Sequence, residues 1–507
     1  MMNRALHGLL KPAFGLIWIT AFTSATLAQT GHWSFVSASP AVPIIPREEC
    51  AFAQAGGKFY LLGGRGINPV QEFTPSTKTW KNLKNTPTIF NHFQALTYCG
   101  LIYVIGAFDE SLSGFPKETP APNIYIYDPL SDTWIKGPPI PAERQRGSAG
   151  LVEYQGKFYV VLGNKLGHTA AGVVFLDEFD PATNAWTPLA DAPRSRDHFQ
   201  AVALNGKLYA MGGRQSANPG AAIFTDLEKV DVYDFAKASW STLPSPASDM
   251  KVKRSGGILA AMGDEILFAG GSNPNVLTTA PYNLTDAFNT LTNTWRSLAP
   301  LNTARQVAGG FVNNSGFYVA SGSGGTGGSP TLATMEAFFL GDSLAPGGDA
   351  LAPGQLAPTE SPFNFGIAAS GQKSDRSIQL RNGAGSQGVL IGNIQVTGDG
   401  AYKIKSAPIY PLLVRPGGTF TLDLEFTSSG TVPAAASLDV TLAVPKGVVV
   451  KIPLEANKTA LGLSSLAHPS LSAPGSVSRF WRHGWLFGTP EKAADPKGRD
   501  LPLLPPR

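Results

Sequence analysis

The chain has 507 residues, which is too long for one ordinary domain. Only 15% of the residues are charged, and 56 glycines and 41 prolines are present, which is typical of an all-β protein with many turns. The formal net charge of +4 is small for this length and disfavours a dedicated nucleic-acid binder, which would carry a concentrated basic surface.

The N-terminus, residues 1–28, has the pattern of a secretory signal peptide. Arg4 and Lys11 supply positive charge, residues 14–21 form a short apolar core, and small residues lead to a cleavage site after Ala28. The alternative is an uncleaved anchor. No other segment approaches the roughly 20 apolar residues of a membrane helix. We therefore expect a secreted or extracellular protein (periplasmic or at the cell surface if bacterial) without a stable membrane span.

Two periodic markers run through the next three hundred residues. Tryptophans recur at intervals of 47 to 55 residues, most of them after an apolar strand and an Asp-Pro or Thr-rich turn: Trp33, Trp80, Trp134, Trp186, Trp240 and Trp295. Between them lie hairpins of the form Gly-Lys-Phe-Tyr-Leu-Leu-Gly-Gly, anchored at Tyr60, Tyr103, Tyr159, Tyr209, Leu267 and Tyr318. Arginines stand 13 residues before five of these anchors, at Arg47, Arg146, Arg196, Arg254 and Arg305, while the second repeat has Asn91 at a spacing of 12.

This pattern resembles the kelch repeat over residues 33 to about 340. The resemblance implies an all-β fold, a six-bladed kelch β-propeller at 29–340 whose four-stranded blades surround a central channel. The sixth repeat has no tryptophan of its own, and Trp33 has no preceding hairpin. We therefore expect the strand at Trp33 to complete the last blade and remove an open sheet edge.

The two cysteines, Cys50 and Cys99, fall at different heights of equivalent strands. The difference of about six residues separates them by roughly 20 Å, whereas the Cα atoms of a disulfide lie within about 7 Å. We predict two unpaired, mostly buried thiols.

Residues 341–360 form a Gly/Pro/Ala linker. Seven alternating strands follow within 361–460 and predict an immunoglobulin-like β-sandwich. The motifs Phe-Asn-Phe-Gly, Leu-Arg-Asn-Gly and Leu-Val-Arg-Pro-Gly-Gly resemble the choice-of-anchor or ASPM–SPD-2–Hydin type of sandwich, which implies a spacer or adhesion module. We expect a flexible tail at 461–507. Its basic aromatic segment at 479–487 suggests either contact with a membrane surface or a segment that docks on the protein or stays loose.

The predicted strand order places the arginines and several long loops at one mouth of the propeller: 107–122, 164–173, 214–228, 272–285 and 322–330. Loops on a rigid scaffold often carry function, and guanidinium groups suit bidentate capture of carboxylates. The kelch resemblance implies contacts of such arginines with acidic groups of a ligand. We predict seven ligand-binding residues: Arg47, Asn91, Arg146, Arg196, His198, Arg254 and Arg305. The alternative is that the arginines pair with Glu48, Glu49, Asp197 or backbone carbonyls and only hold the blades together.

Enzyme interpretations need a sharper set of residues. Copper-radical oxidases related to galactose oxidase share kelch-like blades, but they require a tyrosine cross-linked to cysteine and two histidine ligands. Here His92 and His198 occupy a matching repeat position near Cys50, and no histidine pair stands at close metal-ligand spacing in the sequence. A mutarotase or glycosidase would use acid–base groups such as Glu48, Glu49, Asp197 and His198. We expect no catalytic residues, no metal and no cofactor.

The sequence therefore predicts a secreted, monomeric, non-enzymatic recognition protein. The propeller mouth would bind a carbohydrate, an acidic glycan or a protein loop, and the sandwich would extend or attach it. A sugar-directed oxidoreductase or mutarotase is the alternative function.

Overall fold

The protein is represented by a computed structural model that describes residues 30–216, 225–273, 280–313, 316–341 and 347–458. The predicted signal peptide (1–28) and tail (461–507) lie outside these residues. Within the described part of the chain, no helix is long and apolar enough to cross a membrane.

The first part of the chain consists of short strands. In chain order they are β1 (His32–Phe35), β2 (Cys50–Ala55), β3 (Lys58–Gly63), β4 (Pro69–Thr74), β5 (Thr79–Asn85), β6 (Phe90–Asn91), β7 (Ala95–Tyr98), β8 (Leu101–Val104), β9 (Phe108–Asp109), β10 (Thr119–Pro120), β11 (Asn123–Asp128), β12 (Thr133–Pro139), β13 (Gly150–Tyr154), β14 (Lys157–Val161), β15 (Leu176–Asp180) and β16 (Ala185–Pro188). The series continues with β17 (Gln200–Leu204), β18 (Lys207–Met211), β19 (Arg214–Gln215), β20 (Thr225–Asp226), β21 (Asp231–Asp234), β22 (Ser239–Thr242), β23 (Ile258–Met262), β24 (Glu265–Ala269), β25 (Thr285–Asn289), β26 (Thr294–Ser297), β27 (Gly309–Asn313), β28 (Gly316–Ala320) and β29 (Met335–Phe339). A 3-10 turn spans Ala142–Arg144.

Twenty-four of these strands form six four-stranded antiparallel sheets, and the other five form the small sheets β10-β9-β6 and β19-β20. Sheets 1 to 6 have the strand orders β2-β3-β4-β5, β7-β8-β11-β12, β13-β14-β15-β16, β17-β18-β21-β22, β23-β24-β25-β26 and β27-β28-β29-β1. The first strand of each sheet contacts the first strand of the next, and β27 contacts β2. This closed succession of sheets fits a β-propeller with the first strands around a central channel.

Aromatic and aliphatic side chains fill the space between neighbouring sheets. The predicted tryptophans all lie on the outermost, fourth strands. Trp80, for example, is buried against Phe73, with ring centroids 5.1 Å apart. Burying side chains of this size provides the main favourable term for packing sheet on sheet.

The N-terminal strand closes the last sheet, as the tryptophan spacing predicts. Strand β1 pairs antiparallel with β29, and Trp33 faces Phe338 across the pair. The indole Nε1 of Trp33 donates to Thr285 Oγ1 at 3.0 Å in the neighbouring sheet. The closing strand is therefore fixed both by its backbone ladder and by a buried side chain.

The remaining strands form a β-sandwich. They are β30 (Leu356–Pro358), β31 (Phe363–Asn364), β32 (Lys373–Asn382), β33 (Val389–Gly398), β34 (Tyr402–Ile404), β35 (Leu412–Val414), β36 (Thr419–Thr427), β37 (Ala436–Val444) and β38 (Val449–Glu455). The sheets β30-β32-β36-β34 and β31-β38-β37-β33-β35 share one apolar core. Strand β30 lies inside the predicted linker 341–360, because Leu356 pairs with Asn382 and so extends the first sheet.

The sandwich packs against the propeller at the turns that end the first strands of sheets 2 and 3. Leu390 and Leu413 join a cluster with Leu101 and Phe158. Gln387 Nε2 donates to Asp128 Oδ1 at 2.8 Å. The sandwich thus covers part of the propeller face opposite the one where the first strands begin, and leaves the latter open.

The two cysteines are unpaired, as predicted. Cys50 is buried at the start of β2, and Cys99 is half-buried in the turn between β7 and β8.

Candidate functional site

The centre of the propeller carries a ring of six residues, one from the entry to the first strand of each sheet. All six have a positive φ, between 49° and 65°: Glu49, His92, Ser148, His198, Gly256 and Val307. A left-handed backbone costs residues other than glycine about 1–2 kcal/mol each. We call these six the ring residues.

Hydrogen bonds between neighbouring sheets compensate for that strain. The backbone N–H of each ring residue donates to the backbone carbonyl of the ring residue in the preceding sheet, at 2.7–3.1 Å. The one exception is His198, whose N–H donates to Ser148 Oγ at 2.7 Å. The circuit closes from Glu49 to Val307. The backbone therefore fixes where each side chain starts, whatever that side chain is.

Three histidines converge at this ring. The Nε2 atoms of His92 and His198 lie 3.0 Å apart, and those of His168 and His198 lie 3.1 Å apart. Glu49 Oε1 lies 2.7 Å from His92 Nε2. Ligand atoms of all four side chains lie within 4.8 Å of one another. We call these four residues the histidine cluster.

Each imidazole has a polar partner at its other nitrogen. His92 Nδ1 lies 2.8 Å from Asn91 Oδ1, and His198 Nδ1 lies 2.6 Å from Asp197 Oδ1. In both cases the partner is the preceding residue in the chain. His168 Nδ1 lies 3.3 Å from Glu118 Oε2. These contacts orient the three rings with Nε2 towards the centre.

His168 comes from a loop between β14 and β15 rather than from a first strand. Its backbone N–H donates to the carbonyl of Pro116 at 2.8 Å, which ties two mouth loops together. Its ring lies 5.0 Å from that of Phe115. The loops thus deliver the third histidine from above the ring.

Two arginines and several carboxylates surround the cluster. Arg65 lies 2.9 Å from Glu49 Oε2, 3.0 Å from Glu118 Oε1 and 3.2 Å from Glu110 Oε1. On the other side, an Arg214 terminal nitrogen lies 3.0 Å from His198 Nε2. Carboxyl groups thus surround Arg65 on several sides.

Burial tunes the protonation of these groups. It lowers the pKa of His92 and of His198 well below the usual value, which keeps both imidazoles neutral. Burial would raise the pKa of Glu118, but the hydrogen bond from His168, the electrostatic effects of His168 and His92 and a backbone hydrogen bond together outweigh it, and the pKa falls to about 2. Burial and the adjacent Glu49 raise the pKa of Glu48 to about 7. Neutral imidazoles beside carboxylates can bind a cation or exchange protons.

The channel below the cluster is narrow. A cavity of about 40 Å³ is lined by the ring residues and by the residues that follow them, including Cys50 and Phe93. This is room for a few water molecules. A sugar or peptide does not fit this part of the channel, whereas a wider cavity of about 400 Å³ lies further along it among the first strands of the six sheets.

The predicted arginines do not line this mouth. Arg47, Arg146, Arg196, Arg254 and Arg305 are at most 2% exposed. Four of them pair with an acidic residue of the third strand in their own sheet: Asp177, Asp231, Asp286 and Glu336. Arg47 binds Gln71 Oε1 at the equivalent position. The expectation of an open arginine pocket is corrected, because these guanidinium groups are enclosed by carboxylates and carbonyls of the sheets.

Sheet 2 explains the exceptional spacing of Asn91. The residue 13 positions before Tyr103 is Phe90, and it packs on Tyr125, with ring centroids 4.8 Å apart. Tyr125 pairs with Val104 in the register that Asp286 has with Phe268. An aromatic pair thus replaces the buried ion pair. Asn91 is the counterpart of Asp197, as its contact with the following histidine shows.

The structure also corrects the premise that no histidines stand at metal-ligand spacing. His92 and His198 do, although they are 106 positions apart, and His168 joins them from a loop. Cys50 lines the adjacent cavity, but no tyrosine is among the described residues that line it. The cysteine–tyrosine pair of a copper-radical oxidase therefore has no counterpart in this lining.

Comparison with known proteins agrees with the fold. Residues 195–247, which include sheet 4, match the family model described as Kelch motif. Kelch-like protein terF of Aspergillus terreus is 25% identical over 394 residues, which cover 74% of this chain and 76% of terF. Kelch-like protein 25 of Xenopus tropicalis is 25% identical over 286 residues, which cover 54% of this chain and 44% of that protein. These similarities support a kelch-repeat protein with a β-propeller.

Two further similarities are partial. Beta-scruin of Limulus polyphemus is 26% identical over 187 residues, which cover 35% of this chain and 19% of beta-scruin. A solved structure described as Structure of YjhT matches 60% of this chain and 95% of its own, with 18% identity and a TM-score of 0.48. The chain spans about three quarters of the length of terF but less than half of that of Kelch-like protein 25.

Proposed function

We propose that this chain is a recognition protein whose propeller binds a protein segment at the mouth formed by the loops above the ring residues. The observation that carries the proposal is the exposure of Phe115, which is 66% exposed beside the charged residues around Arg65. Its ring lies 5.9 Å from the Arg65 guanidinium carbon. Exposed aromatic and arginine side chains are the ones most often found at the energetic centre of protein interfaces.

The charge of the mouth selects the ligand. Glu48 and Glu110 are partly exposed there, Glu49 and Glu118 are buried beneath them, and Arg65 pairs with all four. Because the predicted arginines are buried, an acidic glycan has little to bind here. A segment with basic and apolar side chains complements both the carboxylates and Phe115. A neutral carbohydrate stacking on Phe115 is the competing ligand.

The rest of the architecture fits an extracellular recognition role. We propose that the six sheets close a six-bladed ring, that the sandwich is of immunoglobulin-like type, and that the N-terminal signal directs secretion of a monomer. The sandwich then acts as a spacer that leaves the mouth accessible. The support for these points is the sequence pattern, the strand order and the face on which the sandwich packs.

Binding to immobilised peptide and glycan arrays tests the proposal. The matched variants are Phe115→Ala at the mouth and Leu291→Ala, which removes an equally exposed apolar side chain (68%) from a turn on the opposite face. We expect the wild type and Leu291→Ala to retain basic, apolar peptides, with weaker retention at high salt. Phe115→Ala should weaken binding about tenfold or more, the size of an interface hot spot.

The arrays also separate the alternatives. Equal binding by Phe115→Ala and the wild type would exclude the mouth as the binding surface. Retention of neutral glycans without peptides, again lost in Phe115→Ala, would make the ligand a carbohydrate and overturn the protein-ligand proposal.

A further inference from the structure

We propose that the histidine cluster binds one divalent transition-metal ion through Glu49 Oε1 and the Nε2 atoms of His92, His168 and His198. This inference goes beyond ligand recognition at the mouth and does not depend on it. The three Nε2 atoms converge around one point, with that of His198 lying 3.0 Å from that of His92 and 3.1 Å from that of His168. Two of them come from equivalent ring positions of sheets 2 and 4, and the third comes from the loop between β14 and β15.

The oxygen partners of the three Nδ1 atoms determine where the imidazole protons lie. Nδ1 of His92 faces the amide oxygen of Asn91, Nδ1 of His198 faces Asp197, and Nδ1 of His168 faces Glu118. An oxygen acceptor at Nδ1 places the proton of a neutral imidazole there. Each Nε2 is then a lone pair, and three lone pairs that face one another cannot form hydrogen bonds among themselves. A cation at their centre gives all three a partner.

The two neighbouring arginines do not remove this need. Arg214 approaches the Nε2 of His198, which leaves those of His92 and His168. Arg65 faces Glu49, Glu110 and Glu118 rather than the imidazoles.

The separations between the proposed ligand atoms can be compared with those in a zinc site. Zinc binds imidazole nitrogen at about 2.0–2.1 Å, so neighbouring ligand atoms of a tetrahedral zinc shell lie about 3.3 Å apart. The separations here are 2.7 Å between Glu49 Oε1 and His92 Nε2, and 3.0 and 3.1 Å between the imidazoles. An outward movement of a few tenths of an ångström in these pairs accommodates the ion. The four ligand atoms all lie within 4.8 Å of one another, so the more widely spaced pairs move closer when the ion binds.

The residues that surround the histidines support a metal site through their hydrogen bonds. Histidines that bind metals usually donate their other N–H to a carboxylate or carbonyl oxygen, which fixes the ring and makes it a better ligand. All three histidines have such a partner, and two have it from the preceding residue. Asp197 is in turn held by the hydroxyl of Ser216 at 2.7 Å. Three histidines that only fill space would not each need an oxygen partner at Nδ1.

The ligand set also indicates the class of metal. Imidazole nitrogen suits zinc, copper, iron and nickel, whereas magnesium and calcium prefer oxygen ligands. Glu49 contributes the negative charge within the shell, and Asp197 and Glu118 contribute more just outside it. The cavity that adjoins Glu49, His92 and His198 has room for a water molecule on the inner side of the ion.

Metal titration of the full-length chain tests the proposal. The protein is stripped with a chelator and then titrated with Zn²⁺ by calorimetry and with Co²⁺ by visible absorption, with Mg²⁺ as the hard-cation control. We expect one equivalent of Zn²⁺ or Co²⁺ and a rise in Tm with Zn²⁺. Mg²⁺ should produce neither heat nor a shift in Tm.

Three variants locate the ion. His92→Gln and Glu49→Gln keep the size of the side chain at two different ligands, so that at least one folded variant is available. His32→Gln alters a histidine on β1, away from the cluster. We expect at least a 100-fold loss of Zn²⁺ affinity in His92→Gln, a smaller loss in Glu49→Gln and none in His32→Gln. No stoichiometric binding by the wild type, or unchanged binding by both folded ligand variants, would overturn the proposal.

The recognition proposal and this one fail separately. Phe115→Ala removes no proposed metal ligand but does remove the ring packed on His168, so it should still bind one equivalent of Zn²⁺ even if it no longer binds peptides. His92→Gln should in turn lose Zn²⁺ affinity and still bind peptides.

Discussion

The Nε2 atoms of His92 and His198 lie 3.0 Å apart although 106 residues separate them in the chain. Both residues enter the first strand of their sheet with a positive φ, and each is held at Nδ1 by the residue before it. One backbone position, repeated around the propeller, thus brings together side chains that the sequence keeps far apart. The shared geometry also makes the two sites directly comparable by mutation.

The partners at Nδ1 differ in charge, which allows a reciprocal experiment. Asp197→Asn should lower the affinity for Zn²⁺ about 10- to 100-fold, because a carboxylate partner makes the imidazole a stronger ligand. Asn91→Asp should raise the affinity for the same reason. The measurement is calorimetric titration together with the position of the Co²⁺ absorption bands, which a purely structural change would leave in place. A shift in the same direction in both variants would contradict these roles as positioning residues.

The buried ion pairs of the sheets can be tested with the natural substitute found in sheet 2. Arg254→Phe leaves Asp286 without its partner at 2.8 Å, and breaking a buried pair from one side costs about 3–5 kcal/mol. Adding Asp286→Tyr copies the Phe90–Tyr125 pair and should recover part of that loss. Urea denaturation of the two single variants and the double variant measures the coupling. If the double variant is no more stable than Arg254→Phe, the aromatic pair is not an equivalent solution.

Closure of the sixth sheet should depend on Trp33. Trp33→Ala removes contacts with Phe317 and Phe338, whose rings lie 5.6 and 5.4 Å away, and the hydrogen bond to Thr285. Replacing a buried tryptophan by alanine costs about 3–5 kcal/mol. Trp240→Ala at the same strand position of sheet 4 is the control, since Trp240 is only half-buried. We expect Tm to fall further for Trp33→Ala; an equal or smaller fall would argue against a special role in closure.

Asp226 predicts a pH dependence of stability. Burial raises its pKa to about 6 from an ordinary value of 3.8, and Arg214 and Lys253 only partly oppose this. Between about pH 4 and pH 6 the unfolded state has lost this proton while the folded state keeps it, so the contribution of Asp226 to stability falls as the pH rises.

The control for this effect is Asp226→Asn, which has the same shape and no titration. The difference in unfolding free energy between the wild type and Asp226→Asn should shift against the wild type from pH 4 to pH 6 and then level off. A constant difference across this range would show that the pKa is not raised.

Much of the fold could be predicted from the sequence, because the residues that recur in each repeat, such as the tryptophans, are those that pack between neighbouring sheets. Trp33 has no hairpin before it, and that omission predicts the closing strand. Strand β30 was missed because Leu356–Pro358 is short and rich in the residues of a linker. Its pairing depends on Asn382, which lies far along the chain.

The site was harder to predict. The arginines repeat, but they repeat for the ion pairs inside each sheet, so recurrence pointed to structure rather than to ligand binding. The informative position is two residues later, where Glu49 and His198 stand. In sheet 2 the replacement of arginine by Phe90 obscured the register of His92. His168 lies on a loop without periodicity, and contacts with Phe115, Pro116 and Glu118 of another loop hold it at the centre.

The circuit of backbone hydrogen bonds through the ring residues has a consequence for how such a protein changes over time. Because most of those bonds involve no side-chain atom, a ring residue can be exchanged without rebuilding the neighbouring strands. Gly256 and Val307 show that the same backbone position accepts side chains of very different size. Ser148, between the sheets of His92 and His198, is the exception, because its Oγ accepts the hydrogen bond from the His198 N–H. At most ring positions a side chain can thus be replaced singly, so a binding site at the propeller centre can arise by successive point substitutions.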